Sequence, residues 1–278
     1  MVETRPLARR AAAALLALAA ATACERGALP AAAPPAPLAY DGATSISDRI
    51  LPDALPLFRA RTGIDVHVYR SGTGKGLEAV LEGRASVAGV SRALTPAELS
   101  RHPYFQIFAY DALAVYVNAA NPVRSLTRAQ LRAIFTGQAT AWRALGGPAE
   151  PVIGCIEHPD SRRATVDAFR ALALDGAPYA RGLREAEDPS DCLRVVAATP
   201  GGITPASMAY AVAGTRAVPV DGLVPSPQNV RSGAYALTRP LLLVAREPPT
   251  GELKQFFDFM LSPDAQAVVA RSGFVPAR

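Results

Sequence analysis

An α/β fold is predicted from about residue 40 to the C-terminus, and three observations predict it. Strand-like and helix-like patterns alternate along the chain. Two of the strand patterns are continuous apolar runs, as expected of strands covered on both faces. The helix patterns begin and end on recognisable capping residues. Of the 278 residues, 50% are hydrophobic and 19% charged, which excludes a wholly disordered chain. That length suits two domains of roughly 150 residues each.

The elements follow in order. Ile64-Asp65-Val66-His67-Val68-Tyr69 alternates as a half-buried strand does. Leu113 to Val117 and Leu241 to Val244 are the apolar strand runs. Thr95-Pro96-Ala97-Glu98 combines an N-cap, a first-turn proline and a capping-box glutamate. Thr127-Arg128-Ala129-Gln130 repeats the box, with Leu131, Ile134 and Phe135 on one face and Gly137 as the stop. Leu253, Phe256, Phe257, Met260 and Leu261 keep helical spacing. Ser262-Pro263 then opens a last helix that stops at Gly273.

The first residues form a separate part. Arg5, Arg9 and Arg10 precede an Ala/Leu run from Ala11 to Ala20, shorter than the about 20 apolar residues that span a bilayer. An export signal over residues 1–23 is therefore expected. Ala21-Thr22-Ala23-Cys24 resembles a bacterial lipobox, with Ala21 where a leucine is usual. Cys24 is the expected lipidation site, the alternative being signal cleavage without lipid. Residues 24–39 are mostly Ala and Pro and read as a semi-rigid tether. Export places the chain in an oxidising space, periplasmic or at the cell surface. Of the three cysteines, Cys155 and Cys192 then remain as a candidate disulfide or as two buried thiols.

Net charge carries little information. The chain is +5, and without residues 1–23 there remain 26 basic against 23 acidic residues. No basic run exceeds the pairs Arg9–Arg10 and Arg162–Arg163, so no nucleic-acid partner is indicated. Three cysteines and three histidines exclude a four-cysteine zinc site and a histidine-rich metal site.

The segment richest in chemistry is Tyr69-Arg70-Ser71-Gly72-Thr73-Gly74-Lys75-Gly76, followed by a helix with Leu77, Val80 and Leu81 on its apolar side. Glycines let backbone approach a ligand, and free first-turn N–H groups with the helix dipole favour an anion. Ser71 and Thr73 add hydroxyl donors. A phosphate-binding P-loop is excluded, because Tyr69 stands where its first glycine belongs and Gly76 follows Lys75 in place of Ser or Thr.

From about residue 40 onward the chain resembles the phosphate-binding receptors of bacterial ABC importers, a type II branch of the periplasmic-binding-protein family. Ala43-Thr44-Ser45 resembles the first ligand-binding turn of that family and SGTGKGLEAVLEG the second. Ala88-Gly89-Val90-Ser91-Arg92 resembles the strand end that carries a third contact. Phe108 to Gly147 resembles the most distinctive block, and Gly233 to Ala245 the return strand. The resemblance implies a two-lobed fold with a ligand cleft between lobes: residues 40–117 plus 228–278 as one lobe and 118–227 as the other. It implies a monomeric receptor for phosphate or a related tetrahedral oxyanion, an ABC permease as partner, and no cofactor, metal or catalysis. Thr44, Ser45, Ser71, Gly72, Thr73, Ser91 and Arg92 would supply contacts from the first lobe.

The second lobe departs from the family. Asp160-Ser161-Arg162 stands where Ser-Gly-Thr is usual, and Cys155-Ile156-Glu157-His158 holds no arginine just upstream. Ser161, Arg162 and Arg163 are the replacement candidates, or Arg162 and Arg163 are exposed and play no part. Asp160 and Glu157 would repel an anion if they faced the cleft. Some family members use a carboxylate at the third contact to accept the proton of hydrogen phosphate. Asp111 is a candidate substitute, or an ordinary aspartate near the hinge.

Two other functions compete. A divergent receptor with a weakened anion site would act in sensing or regulation. An exported hydrolase would need a nucleophile with a histidine base. His67, His102 and His158 belong to no such motif, and Trp142 reads as core.

Overall fold

The computed structural model describes residues 37–161 and 163–277. The expectations for the signal segment, for Cys24, for most of the tether and for Arg162 lie outside those residues. The chain opens with β1 (Leu38–Gly42), α1 (Thr44–Ser47), α2 (Leu51–Thr62), β2 (Val66–Tyr69), α3 (Thr73–Leu81), β3 (Val87–Val90) and α4 (Pro96–Leu99). The long β4 (Tyr104–Asn118) follows, then α5 (Arg128–Phe135), β5 (Ile153–Glu157), α6 (Ala164–Ala173), β6 (Arg184–Ala186) and α7 (Pro189–Ala198). The remainder is β7 (Gly202–Ser207), β8 (Thr215–Val218), α8 (Pro227–Arg231), β9 (Thr238–Ala245), α9 (Gly251–Met260), α10 (Pro263–Arg271) and β10 (Val275–Pro276).

The strands lie in the order β2-β1-β3-β9-β4-β7-β5-β6, with β8 and β10 also on β4. β4 therefore belongs to both halves. Tyr104 to Ala112 pair antiparallel with β9, whereas Leu113 to Val117 pair with β7 and Val115 to Asn118 with β8. The partner changes between Ala112 and Leu113, ahead of the crossing expected at Val117-Asn118. Each half has its own core. Tyr40, Ile46, Phe58, Leu243, Phe256 and Met260 fill the first. Leu131, Phe135, Trp142, Phe169 and Ile203 belong to the second. Two cores on one continuous sheet give the two-lobed architecture.

Local chemistry sets the helix ends. Both capping boxes form, Thr95 with Glu98 and Thr127 with Gln130. Ser262 caps α10, and Phe256, Phe257 and Met260 bury the apolar face of α9. The helix after the glycine-rich segment starts early, at Thr73, so it contains Gly74 and Gly76 despite their cost of about 1 kcal/mol each in a helix interior. Packing explains Gly76: a Cβ there would lie 2.7 Å from the Asp41 carbonyl and the Gly42 Cα. Glycine lets the first turn of α3 press on the end of β1. Gly72 precedes it at φ 89°, a left-handed conformation natural to glycine.

Cys155 in β5 is bonded to Cys192 in α7, with a Cα–Cα distance of 5.4 Å. The bond fixes α7 beside the strand whose C-terminal end carries Glu157. Among the described residues no helix is long and apolar enough to cross a membrane, and no cluster of His, Cys, Asp or Glu could hold a metal ion.

The disulfide closes a loop over a sequence separation of 37. In chain-entropy terms such a loop is worth about 3–4 kcal/mol. Replacing both cysteines by serine should lower the unfolding free energy by that amount in urea denaturation. Unchanged stability would show that the crosslink constrains little.

Candidate functional site

The C-terminal ends of several strands, and the helices that follow them, meet where the two halves face each other. They enclose about 20 Å³. That is room for a small ion or a few waters, far below the about 300–1,000 Å³ of a drug-sized pocket. The first half contributes Ala43, Thr44 and Ser45 at the start of α1, Gly72 and Thr73 at the start of α3, and Ser91 after β3. The second half contributes Glu157 from β5, Arg163, Ala164 and Thr165 at the start of α6, and Pro189 from α7. Ser207 and Tyr210 close that side, and Arg239 enters from β9.

Three helices turn their N-termini on this space, and none of the three has a side-chain cap. The N-cap residues Ala43, Gly72 and Arg163 make no capping hydrogen bond. By contrast, α4, α5, α7, α8 and α10 are capped by Thr95, Thr127, Asp188, Ser226 and Ser262. First-turn N–H groups have no partner inside their own helix, so the cavity is lined by unused donors and by positive helix ends. Such an arrangement suits an anion. Uncapped starts are not confined to the cavity: α2 and α9 also lack a side-chain cap, and neither lines it.

Charge is placed with equal care. Arg239 is 2% exposed and Asp111 wholly buried. The Arg239 Nε and Nη2 both donate to Asp111 Oδ2, at 2.9 and 2.8 Å. Ser207 donates to the other carboxylate oxygen at 2.8 Å, and Arg239 Nη1 donates to Thr165 Oγ1 at 3.3 Å. Arg163 reaches across the gap, its Nη1 donating to Thr44 Oγ1 at 3.5 Å and its Nε 3.5 Å from Glu157 Oε1. Glu157 is 5% exposed, and its Oε2 has no hydrogen-bond partner among the described residues. Burial pushes its carboxyl up to about 7, against the pull of Arg163, Arg239 and the Thr165 hydroxyl.

The structure gathers Thr44, Ser45, Gly72, Thr73, Ser91 and Arg163 around one space, and places other candidates elsewhere. Ser71 is exposed and absent from the wall; its N–H donates to Asp41 Oδ1 at 3.0 Å. Arg92 also does not line the cavity. Its guanidinium donates to both carboxylate oxygens of Glu98 at 2.8 Å and to Asp167 Oδ2 at 3.2 Å, so its charge is already satisfied. Ser161 ends a short 3-10 turn off the cavity wall, its hydroxyl buried and without a partner among the described residues. Asp111 does not line the cavity either, because it is the counter-ion of Arg239. Glu157 does face the cavity, and Asp160 does not.

Sequence reasoning missed Arg239, Thr165, Ser207 and Tyr210. Arg239 did leave a signal: an arginine beside the apolar run Leu241–Val244 needs a buried counter-charge, and Asp111 interrupts the apolar run of β4 in the same way. Ser207 and Tyr210 left none.

A two-lobed α/β chain whose lobes enclose hydroxyls, unused amides and guanidiniums belongs to the class of solute-binding receptors. The chain belongs to the PBP superfamily, whose domain model matches residues 27–264. This is a family of receptors and not of enzymes. The chain is 28% identical over 247 residues to the phosphate-binding protein PstS of Bacillus subtilis (strain 168), covering 86% of this chain and 80% of that protein. It is 29% identical over 234 residues to protein SphX of Synechococcus elongatus, covering 77% of this chain and 69% of that one. Among solved structures, a Clostridium perfringens chain with bound phosphate shares 26% identity at a TM-score of 0.80, covering 87% of this chain and 100% of that one. An ABC-type phosphate transport receptor from Vibrio cholerae has the same fold, with a TM-score of 0.77 and 24% identity over 87% of this chain and 100% of that one.

Glu157 makes stability depend on pH. Its folded-state pKa of about 7 lies above the ordinary value of 4.5, so between the two the folded chain holds a proton that the unfolded chain has lost. This contribution is fully present below the lower value and is lost as pH rises to the upper one. It amounts to about 3 kcal/mol. Unfolding free energies measured across that window should fall with rising pH, and Glu157→Gln should remove this component. An identical slope in the variant would contradict the assignment.

Proposed function

We propose that this chain is an exported receptor that captures phosphate, or a closely related tetrahedral oxyanion, and delivers it to an ABC permease. The observation that carries this reading is the convergence of three uncapped helix N-termini, several hydroxyls and two guanidiniums on a space of ionic size. A desolvated oxyanion needs every oxygen hydrogen-bonded, and this wall offers donors from both lobes. Relatives named for phosphate binding support the choice of anion.

Thr44, Ser45, Gly72, Thr73 and Ser91 hold the anion from the first lobe, and Arg163 and Thr165 from the second. Arg239 supplies charge from the strand that links them. The first lobe moves against the second about the point where β4 changes partner, between Ala112 and Leu113, and the cleft closes by hinge motion. Arg92 serves closure and not ligand contact: it joins Glu98 of the first lobe to Asp167 of the second. At the N-terminus, residues 1–23 act as the signal and Cys24 as the lipid anchor, with the Ala/Pro-rich segment as tether. The receptor works as a monomer.

A second reading is a divergent receptor whose weakened site serves sensing or regulation. The specific observation in its favour is Glu157, a carboxyl on the wall of an anion site, in a strand where the resembling family carries an arginine.

Isothermal titration with phosphate, sulfate, arsenate and molybdate separates the two. Uptake predicts phosphate binding with Kd at or below about 1 μM. Ser91→Ala should weaken it about 10- to 100-fold, the worth of a hydrogen bond to a charged group. Absence of heat with all four anions favours the second reading.

A further inference from the structure

Among the described residues Tyr210 is the one aromatic side chain on the cavity wall, and the proposed function gives it no part. Its neighbours there are small residues or charged groups tied into pairs, Arg239 to Asp111 and Arg163 to Glu157. The ring is half-buried, and the Arg49 guanidinium lies over it, 4.6 Å from the ring centroid. Arg49 is exposed and does not border the cavity. It borders a surface hollow of about 390 Å³, together with Ala209, Arg271 and Ser272. The ring and the guanidinium therefore stand as a partition between the enclosed cavity and an open hollow.

The partition is fixed from both sides. The Tyr210 N–H donates to the Ser207 carbonyl at 3.0 Å, and the Ala209 N–H donates to Ser207 Oγ at 3.1 Å. Ser207 Oγ donates in turn to Asp111 Oδ1 at 2.8 Å, so the turn that carries the ring is tied to the buried Asp111–Arg239 pair. From the first lobe, Arg49 Nη2 donates to the Ala209 carbonyl at 2.6 Å. The Arg49 carbonyl accepts from Ser272 Oγ at 2.6 Å. A guanidinium over an aromatic face is attracted by the negative face of the ring. Burial pushes the Tyr210 hydroxyl up to about 12, so the ring brings no negative charge to a bound anion.

The consequence is one of size. The enclosed space, about 20 Å³, suits a bare tetrahedral anion. A phosphate monoester offers three terminal oxygens to the same donors, but its fourth oxygen carries a carbon. Inside a closed wall that carbon overlaps packed atoms. With the ring gone, the cavity joins the hollow and the carbon has room.

We propose that the Tyr210 ring, held in place by Arg49, restricts this site to free inorganic oxyanions and shuts out phosphate monoesters. The inference rests on the oxyanion reading above. Tyr210 selects by occupying the path that the organic group would take, and Arg49 is a positioning residue that acts through the ring.

The test is titration of the full chain with inorganic phosphate and with methyl phosphate. The wild-type chain should bind the ester about 100-fold more weakly than phosphate. In Tyr210→Ala that gap should narrow to about tenfold or less, whereas Tyr210→Phe should keep it, since the ring and not the hydroxyl fills the path. Arg49→Ala changes an exposed residue and should narrow the gap about two- to fivefold, the worth of the cation over the ring. A wild-type chain that binds both ligands alike overturns the proposal. So does Tyr210→Ala that binds phosphate and keeps the full gap, or Tyr210→Phe that loses it. If Tyr210→Ala does not fold, an unchanged gap in Arg49→Ala overturns the proposal. In each of these cases phosphate still binds and the oxyanion reading stands. If the wild-type chain binds no phosphate, that reading has failed and the proposal falls with it.

Discussion

A guanidinium buried between crossing strands is the constraint on which the rest of the structure depends. Asp111 and Arg239 are direct register partners on β4 and β9, the strands that carry the chain from one lobe toward the other. An arginine at 2% exposure needs a counter-charge, and Asp111 provides it through two hydrogen bonds to one oxygen. Losing either partner would strand a charge at about 3–5 kcal/mol. The pair therefore pins the register of the two strands where the lobes join. It also fixes one positive charge on the cavity wall before any ligand arrives, so that charge needs no rearrangement on binding.

Around that fixed charge, the remaining site is assembled from strand ends. β1, β2, β3, β5 and β7 each deliver a turn or helix start to the same space, which explains why the wall is rich in backbone donors and short hydroxyl side chains. The lobe-bridging contacts are of a second kind. Arg92 to Asp167 and Arg163 to Thr44 cross from one lobe to the other at the cavity edge. They tie the two lobes together, whereas the amides and hydroxyls border the cavity. An arginine next in sequence to the wall residue Ser91 thus bridges the lobes, while one remote in sequence from the first-lobe turns brings its guanidinium to the wall.

Much of this was legible in the sequence, for physical reasons. Helix starts follow from local capping chemistry, so Thr95, Thr127 and Ser262 are found where they stand. The first-lobe wall is local too: Thr44, Gly72, Thr73 and Ser91 each follow a strand within a few residues. Arg92 misled because Glu98, six residues on, reads in sequence only as a capping-box residue, and its other partner Asp167 lies 75 positions away. Ser71 misled because a turn of one residue decides which hydroxyl faces inward. The early start of α3 depends on Gly76 meeting β1, a tertiary contact that overrides the weak helix propensity of glycine. Arg239 and Asp111 were detectable only as a pair of interruptions in apolar strands, and Ser207 and Tyr210 only from the fold.

The account stands on the position of an anion relative to that fixed charge. The most direct measurement is a crystal structure of the chain grown with phosphate. The account predicts one phosphate in the cavity between the lobes, with oxygens about 3 Å from Arg239, from Ser91 and from the first-turn amides of α3 and α6. A phosphate bound elsewhere, or a cavity that holds only water at saturating phosphate, would contradict it.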